Sequence, residues 1–420
     1  MLNFPFPKKT YIFGTADNDN LVGTYLDEII YAYDGNDMLN GGGGKDWLYG
    51  GLGDDYYIIS DTDDKVVEYA DQGTDTVFSY ITSYTLTDHV EKLQLVGTQA
   101  LYGTGNGLDN RLTGNDQNNI LSALDGNDVL DGRKGMDLMI GGYGDDNYYV
   151  DNSGDSIWEF ADQGKDVVHT SATFVLSGHI ENLYMQIGAG AIDATGNDLD
   201  NYIVGNDSNN ILKGMDGKDT FSGNGGKDTM HGGAGDDYYI LDSSDDLIVE
   251  NMGEGYDTFY ITTDYTMALN VERMLMDGSN AVTGKGNNQA NAIEGSSADN
   301  FLFGYDGLDV LFGNKGNDTI DGGLANDLVY GGEDTDTLTG GGGNDKFQFR
   351  QAGGQEIITD FKANGDLDIM QVGVFNSFAS VLAATQQVGN DTVITFDANT
   401  SMTLQNFNMN NLQAADFQFI

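Results

Sequence analysis

The chain has 420 residues, 60 of them glycine, two proline and none cysteine, with 67 acidic against 18 basic residues and a net charge of −49. That charge excludes a nucleic-acid binder, which needs a basic footprint, and it opposes compaction unless counter-charge is supplied. The absent cysteines exclude a disulfide framework, and glycine without a three-residue period excludes collagen.

The N-terminal lead-in, residues 1–13, lacks a charged-then-apolar layout, because Lys8 and Lys9 follow its apolar residues. A cleaved export signal is not expected there. No apolar run approaches 18 residues, which predicts no membrane span. From Gly14 the chain is periodic. Five nonapeptides start at Gly14, Gly23, Ala32, Gly41 and Gly50, five at Gly105, Gly114, Ala123, Gly132 and Gly141, and five at Gly196, Gly205, Gly214, Gly223 and Gly232. Seven more start at Gly286, Gly295, Gly304, Gly313, Gly322, Gly331 and Gly340. Over these 22 repeats position 1 is Gly in 20 and Ala in two, while position 6 is Asp in 15, Asn in six and Glu once, at Glu28. Position 8 is always aliphatic, Met or aromatic.

Matching spacers join the runs. Residues 64–77 read DKVVEYADQGTDTV, 155–168 DSIWEFADQGKDVV and 246–259 DLIVENMGEGYDTF, so a period of about 90 residues lies above the nonapeptide. Two-residue alternation follows each, as in YTLTDHVEKLQLVG, and predicts strands that carry a solenoid onward. The expected organisation is a lead-in (1–13), three blocks of repeats plus spacer (14–104, 105–195, 196–285), a seven-repeat block (286–348) and an atypical C-terminal β cap (349–420). In the cap, ITDFKANGDLDIM reads as a turn between strands, DTVITFDANTSMTLQNF as a hairpin, and DFQFI as an apolar end. A cap is expected because an open solenoid end exposes strand edges.

Each nonapeptide divides into six turn residues and three strand residues. Glycines at positions 1, 2 and 4 are expected to take positive φ and to turn carbonyls inward. Position 8 faces the core, and positions 7 and 9 face outward. Two repeats make one coil, so turns two repeats apart stack about 4.8 Å from each other. Carboxylates at that separation repel unless a cation lies between them, and Ca²⁺ takes six to eight carboxylate and carbonyl oxygens at about 2.3–2.6 Å. The stacking rule predicts that Asp37 faces Asp55, Asp128 faces Asp146 and Asp219 faces Asp237; Asp309, Asp327 and Asp345 form one column, and Asp318 with Asp336 another. Asp46, Asp137 and Asp228 lie on the opposite side and need a partner from a weaker repeat or a spacer. Asp19 completes the aspartate candidates. Carbonyl-supplying glycines are predicted at Gly41, Gly44, Gly50, Gly53, Gly132, Gly135, Gly141, Gly144, Gly223, Gly226, Gly232, Gly235, Gly313, Gly316, Gly322, Gly340 and Gly343. Asn110, Asn119, Asn201, Asn210, Asn291 and Asn300 replace the carboxylate in the opening repeats of later runs, which reads as metal-poor coils held by stacked amides.

The pattern GGxGxDxUx, whole in GGGGKDWLY and GGLGDDYYI, resembles the RTX family, the hemolysin-type calcium-binding repeats of bacterial proteins. The resemblance covers residues 14–348, and the tail with ITDF, GD and DFQFI is similar to the C-terminal region of serralysin-like RTX proteins. It implies an all-β, right-handed parallel β-roll with Ca²⁺ as cofactor. It also implies export by type I secretion machinery through an uncleaved C-terminal signal, and folding in the calcium-rich extracellular space.

Catalytic strings are missing: there is no HExxH, no GxSxG, no cysteine nucleophile and no phosphate loop. Only 13 residues precede the first repeat. The expectation is a non-catalytic calcium-binding module with a matrix, cell-surface or adhesion role, its partners calcium, the secretion machinery, and extracellular polysaccharide or a cell surface. The alternatives are a polysaccharide-modifying enzyme of epimerase or lyase type, and a toxin or protease accessory. An enzyme's site would break the long period with a unique polar cluster, and none is visible in the letters. His89, His169, His179 and His231 read as surface residues, and the Tyr-Tyr pairs at 56–57, 148–149 and 238–239 as core packing.

Overall fold

The protein is described from a computed structural model that covers residues 9–278, 280, 282–349, 354–362, 367–373 and 375–419. Part of the lead-in, the middle of ITDFKANGDLDIM and the final Ile420 therefore lie outside the described residues. The chain divides into two compact units, Met1–Asn206 and Asp207–Ile420.

The six-plus-three division of the nonapeptide holds in one ladder, where strands such as Met38–Asn40 and Val129–Asp131 have three residues. In the other, strands such as Trp47–Leu52 and Leu138–Tyr143 run on through positions 1 to 3 of the next repeat before the turn. In the first unit, strands Asn20–Val22, Met38–Asn40, Tyr56–Ile59, Thr76–Ser79 and Lys92–Leu95 form one ladder, each parallel to the next. That ladder continues through Arg111–Thr113, Val129–Asp131, Asn147–Val150, Val167–Thr170, Asn182–Met185 and Tyr202–Val204. Opposite it run Thr10–Phe13, Glu28–Asp34, Trp47–Leu52 and Lys65–Val67, then Ser83–Thr85, Tyr102–Thr104, Ile120–Asp125, Leu138–Tyr143 and Ser156–Ile157. Spacer strands thus pair in the same ladders as repeat strands. Each unit is an all-β parallel solenoid, as the letters predict.

The core is a row of position-8 side chains. Leu39, Leu48, Leu130 and Met139 are fully buried, and positions 7 and 9 around them are half-exposed. The second unit repeats the plan from Ile211–Asp216 to Lys346–Phe349, with Leu212, Phe221, Leu302 and Leu311 inside. It ends differently. Gln355–Ile358 pairs in parallel with Ser401–Leu404, which forms an antiparallel hairpin with Asp391–Thr395, and Thr385–Val388 adds a further antiparallel strand. A helix, Phe378–Ala383, is N-capped by Ser377. Lys362 forms an ion pair with the buried Asp416.

Candidate metal centres

Position 6 sits where the turn bends into the strand, so its side chain points into the space between stacked coils. The carboxylates do not simply face one another. Each offers Oδ1 to the backbone N–H of position 6 one coil earlier: Asp37 to Asp19 at 2.7 Å, Asp55 to Asp37 at 2.7 Å and Asp46 to Glu28 at 2.7 Å. The same bond joins Asp128 to Asp146, Asp219 to Asp237, Asp309 to Asp327, Asp327 to Asp345 and Asp318 to Asp336, at 2.7–2.9 Å. The second oxygen is left over. Oδ2 of Asp37, Asp46, Asp55, Asp128, Asp137, Asp146, Asp228, Asp309, Asp318, Asp327 and Asp336 is buried and lacks a hydrogen-bond partner. Asp19 differs, being half-exposed, with its Oδ2 taken by the Thr15 N–H at 2.6 Å.

The glycines split into two roles, which corrects the expectation of positive φ at positions 1, 2 and 4 alike. Position-4 glycines do take it: Gly44, Gly53, Gly135, Gly144, Gly226, Gly235, Gly316 and Gly343 lie between φ 103° and 147°. Position-1 glycines, Gly41, Gly50, Gly132, Gly141, Gly223, Gly232, Gly313, Gly322 and Gly340, do not; they are buried, and a Cβ on any of them would fall on Oδ2 of the aspartate five residues on. Position 1 is glycine for room, not for backbone freedom.

Asp46, Asp137 and Asp228 find their partners in the spacers: Asp46 N–H donates to Asp64, Asp137 to Asp155 and Asp228 to Asp246, at 3.2, 2.9 and 3.1 Å. The other column also runs on, from Asp55 to Asp75 and Glu91 and from Asp146 to Asp166 and Glu181. These spacer acids were not among the sequence candidates, although DKVV and GTDTV carried them in plain view. A second missed feature is position 5, where Asn18, Asn36 and Asp54 each accept the N–H one coil later at 2.9–3.0 Å. The asparagine coils are closed by their own amides. Asn119 Oδ1 accepts from Asn115 N–H at 2.7 Å and its Nδ2 donates to Ala100 at 3.2 Å; Asn110 is bonded in the same way. His89, His179 and Asn270, equivalent in sequence, all take φ of 63–70°, a conformation those residue types tolerate. His169 stacks between Tyr149 and Tyr184.

Burial without counter-charge raises the carboxyl groups. Desolvation is the largest cause in each: Asp46 rises to about 6, Asp55, Asp64, Asp128, Asp137 and Asp228 to about 7, and Asp146 to about 8. The leftover oxygen, the raised proton affinity and the glycine cradle fit a hard cation bound by oxygen. Asp37, Asp55, Asp128, Asp146, Asp309, Asp318, Asp327 and Asp336 are the side chains that would hold it, and the ion would supply the charge that burial has removed.

A ladder of turns lined by half-satisfied carboxylates defines a calcium-binding β-roll. The model of the RTX calcium-binding nonapeptide repeat matches residues 22–57, 104–139, 195–230, 214–248, 285–320 and 312–347, so these segments are RTX calcium-binding repeats and their turns bind Ca²⁺. No curated protein matches it. Among solved structures it is similar to the extracellular lipase LipA from Serratia marcescens, at 14% identity and a TM-score of 0.15, over 62% of this chain and 45% of that one. The chain therefore spans less than half of that lipase's length. Among the described residues no helix is long and apolar enough to cross a membrane.

Proposed function

We propose that the chain is a secreted, non-catalytic module that folds when it meets extracellular Ca²⁺ and then serves in a matrix, at a cell surface or in adhesion. The observation that carries this is the row of buried, unpartnered Oδ2 atoms. An acidic chain with such a row is poorly stable until a cation completes each turn, so binding and folding are one event. Far-ultraviolet circular dichroism in EGTA should show a largely unordered chain, and millimolar Ca²⁺ should restore the β signal. An unchanged β spectrum in EGTA at neutral pH would defeat the proposal. Export by a type I system is supported by the repeat family alone; a C-terminally truncated chain should stay inside a host that exports the full one.

A second reading, a polysaccharide-modifying or polysaccharide-binding solenoid, is favoured by a groove of about 800 Å³ in the second unit, lined by Tyr238, Tyr260, Arg273, Asp277, Glu294 and Lys315 among others. Arg273 pairs with Glu294 at 3.2 Å, and Tyr260 donates to Asp277 at 2.6 Å. The corresponding strand starts carry Lys92 and Asn182 where this one has Arg273, so the groove breaks the long period, which the letters alone did not reveal. Release of shortened or unsaturated sugar products by the wild type, abolished in Arg273→Ala, would select this reading.

A further inference from the structure

We infer that each of the first three spacers builds a cation site of a second kind, made of three carboxylates, which takes a hard divalent cation more tightly than the stacked turns do. The inference rests on the calcium-dependent reading above and adds to it a distinct class of site.

The residues are Asp55, Glu68 and Asp75; Asp146, Glu159 and Asp166; and Asp237, Glu250 and Asp257. In each set one carboxylate oxygen per residue lies within 4.8 Å of the others, and all three residues are buried. The sets recur at intervals of 91 residues. The two aspartates belong to one column of the ladder. The glutamate is new: it lies just past a spacer strand, Lys65–Val67 in the first case and Leu247–Val249 in the third.

Two independent observations point to a ligand. Glu68, Glu159 and Glu250 are only 6%, 4% and 7% exposed, yet their Oε2 atoms have no hydrogen-bond partner, and neither do Asp55 Oδ2, Asp146 Oδ2 and Asp257 Oδ2. No salt bridge among the described residues reaches any of the nine. The other observation is shape. A Cβ on Gly50 would fall on Asp55 Oδ2, Tyr57 Oη and Glu68 Oε1, and one on Gly232 would meet the equivalent three atoms. A cradle lined by oxygen is kept open where any side chain would fill it.

The tyrosines at 57, 148 and 239 explain how the glutamate is aimed. Each buried hydroxyl donates to Oε1 of its glutamate. One carboxylate oxygen is thereby fixed, and the other, Oε2, is buried without a hydrogen bond. Three formal charges converge here, against two for a stacked pair of turns, and calcium affinity rises with the charge count of the ligands. Left unneutralised, such a buried cluster is strongly unfavourable.

The test uses the full chain stripped with EGTA and desalted. It is titrated with Ca²⁺ by calorimetry and with Tb³⁺ by tyrosine-sensitised luminescence. A tight phase of three ions per chain is expected, roughly tenfold or more tighter than the phase that follows. Glu68→Gln, Glu159→Gln and Glu250→Gln should each remove one tight ion, and the triple variant all three, with the weaker phase retained. A triple variant that folds in saturating Ca²⁺ and keeps all three tight ions would overturn the inference, as would a wild type without a tight phase. If the triple variant does not fold, the Tyr57→Phe, Tyr148→Phe and Tyr239→Phe variants decide. With every carboxylate kept, they should lower tight-phase affinity several-fold at unchanged stoichiometry, and an unaltered affinity counts against the site. A chain whose β signal ignores Ca²⁺ altogether would instead remove the reading beneath.

Discussion

A single carboxylate in this protein does two unlike jobs. Oδ1 of Asp128 accepts the Asn110 N–H at 2.6 Å and so helps hold two coils together, while Oδ2 is left for a cation. An asparagine at the same slot closes the turn by itself, since its amide donates where the aspartate would need an ion. Asn119→Asp should therefore weaken its coil. It removes the donor to Ala100 and buries a charge in a turn whose neighbouring position 4 is Gln117 rather than glycine. We expect a loss of about 1–3 kcal/mol in saturating Ca²⁺, from the cost of an unsatisfied buried group. Urea midpoints measure it, and a stabilised variant would contradict the account. That Asp and Asn alternate at one slot was legible in the letters. That each oxygen has a separate duty was not, because it depends on the amide of a residue 18 positions away.

At the scale of the element, the coil is the smallest thing that makes sense. A three-residue strand buries one large side chain, and its neighbours in the ladder bury theirs directly above and below. Leu130 is fully buried in Val129–Asp131, which pairs with Arg111–Thr113 on one side and Asn147–Val150 on the other. Leu130→Ala should cost about 2–5 kcal/mol, as large-to-small changes in a packed core do. Because folding is coupled to the ion, the loss should register as a higher Ca²⁺ midpoint in a dichroism titration. An unshifted midpoint would mean that the ladder tolerates a void there. The period-2 pattern announced these strands and their inward letter. It did not announce that the spacers supply the missing members of the columns: Asp64 keeps the nine-residue step but stands in a stretch without the glycine turn, and Asp75, two residues out of step, reaches Asp55 only once the chain has coiled.

For the whole molecule, charge sets the conditions of folding. Burial raises ladder aspartates, to about 6 in Asp309 and about 8 in Asp146, against roughly 3.9 for an unfolded aspartate. The folded state therefore binds protons more strongly than the unfolded one. Proton-derived stability is complete below about pH 4 and is lost as pH rises through 6 to 8. In EGTA the β signal should be stronger near pH 4.5 than at pH 8, and Ca²⁺ added near pH 6 should release protons. Equal spectra at both pH values in EGTA would contradict this.

The letters alone determined the repeat, its inward residue, the calcium chemistry and the all-β class, because these follow from spacing and donor type within nine residues. Only the tertiary structure decided which oxygen stays unsatisfied, why position 1 favours glycine for room, and where the spacers add their acids. Those depend on contacts between coils, and a coil places side by side residues that the sequence holds 18 or 20 apart.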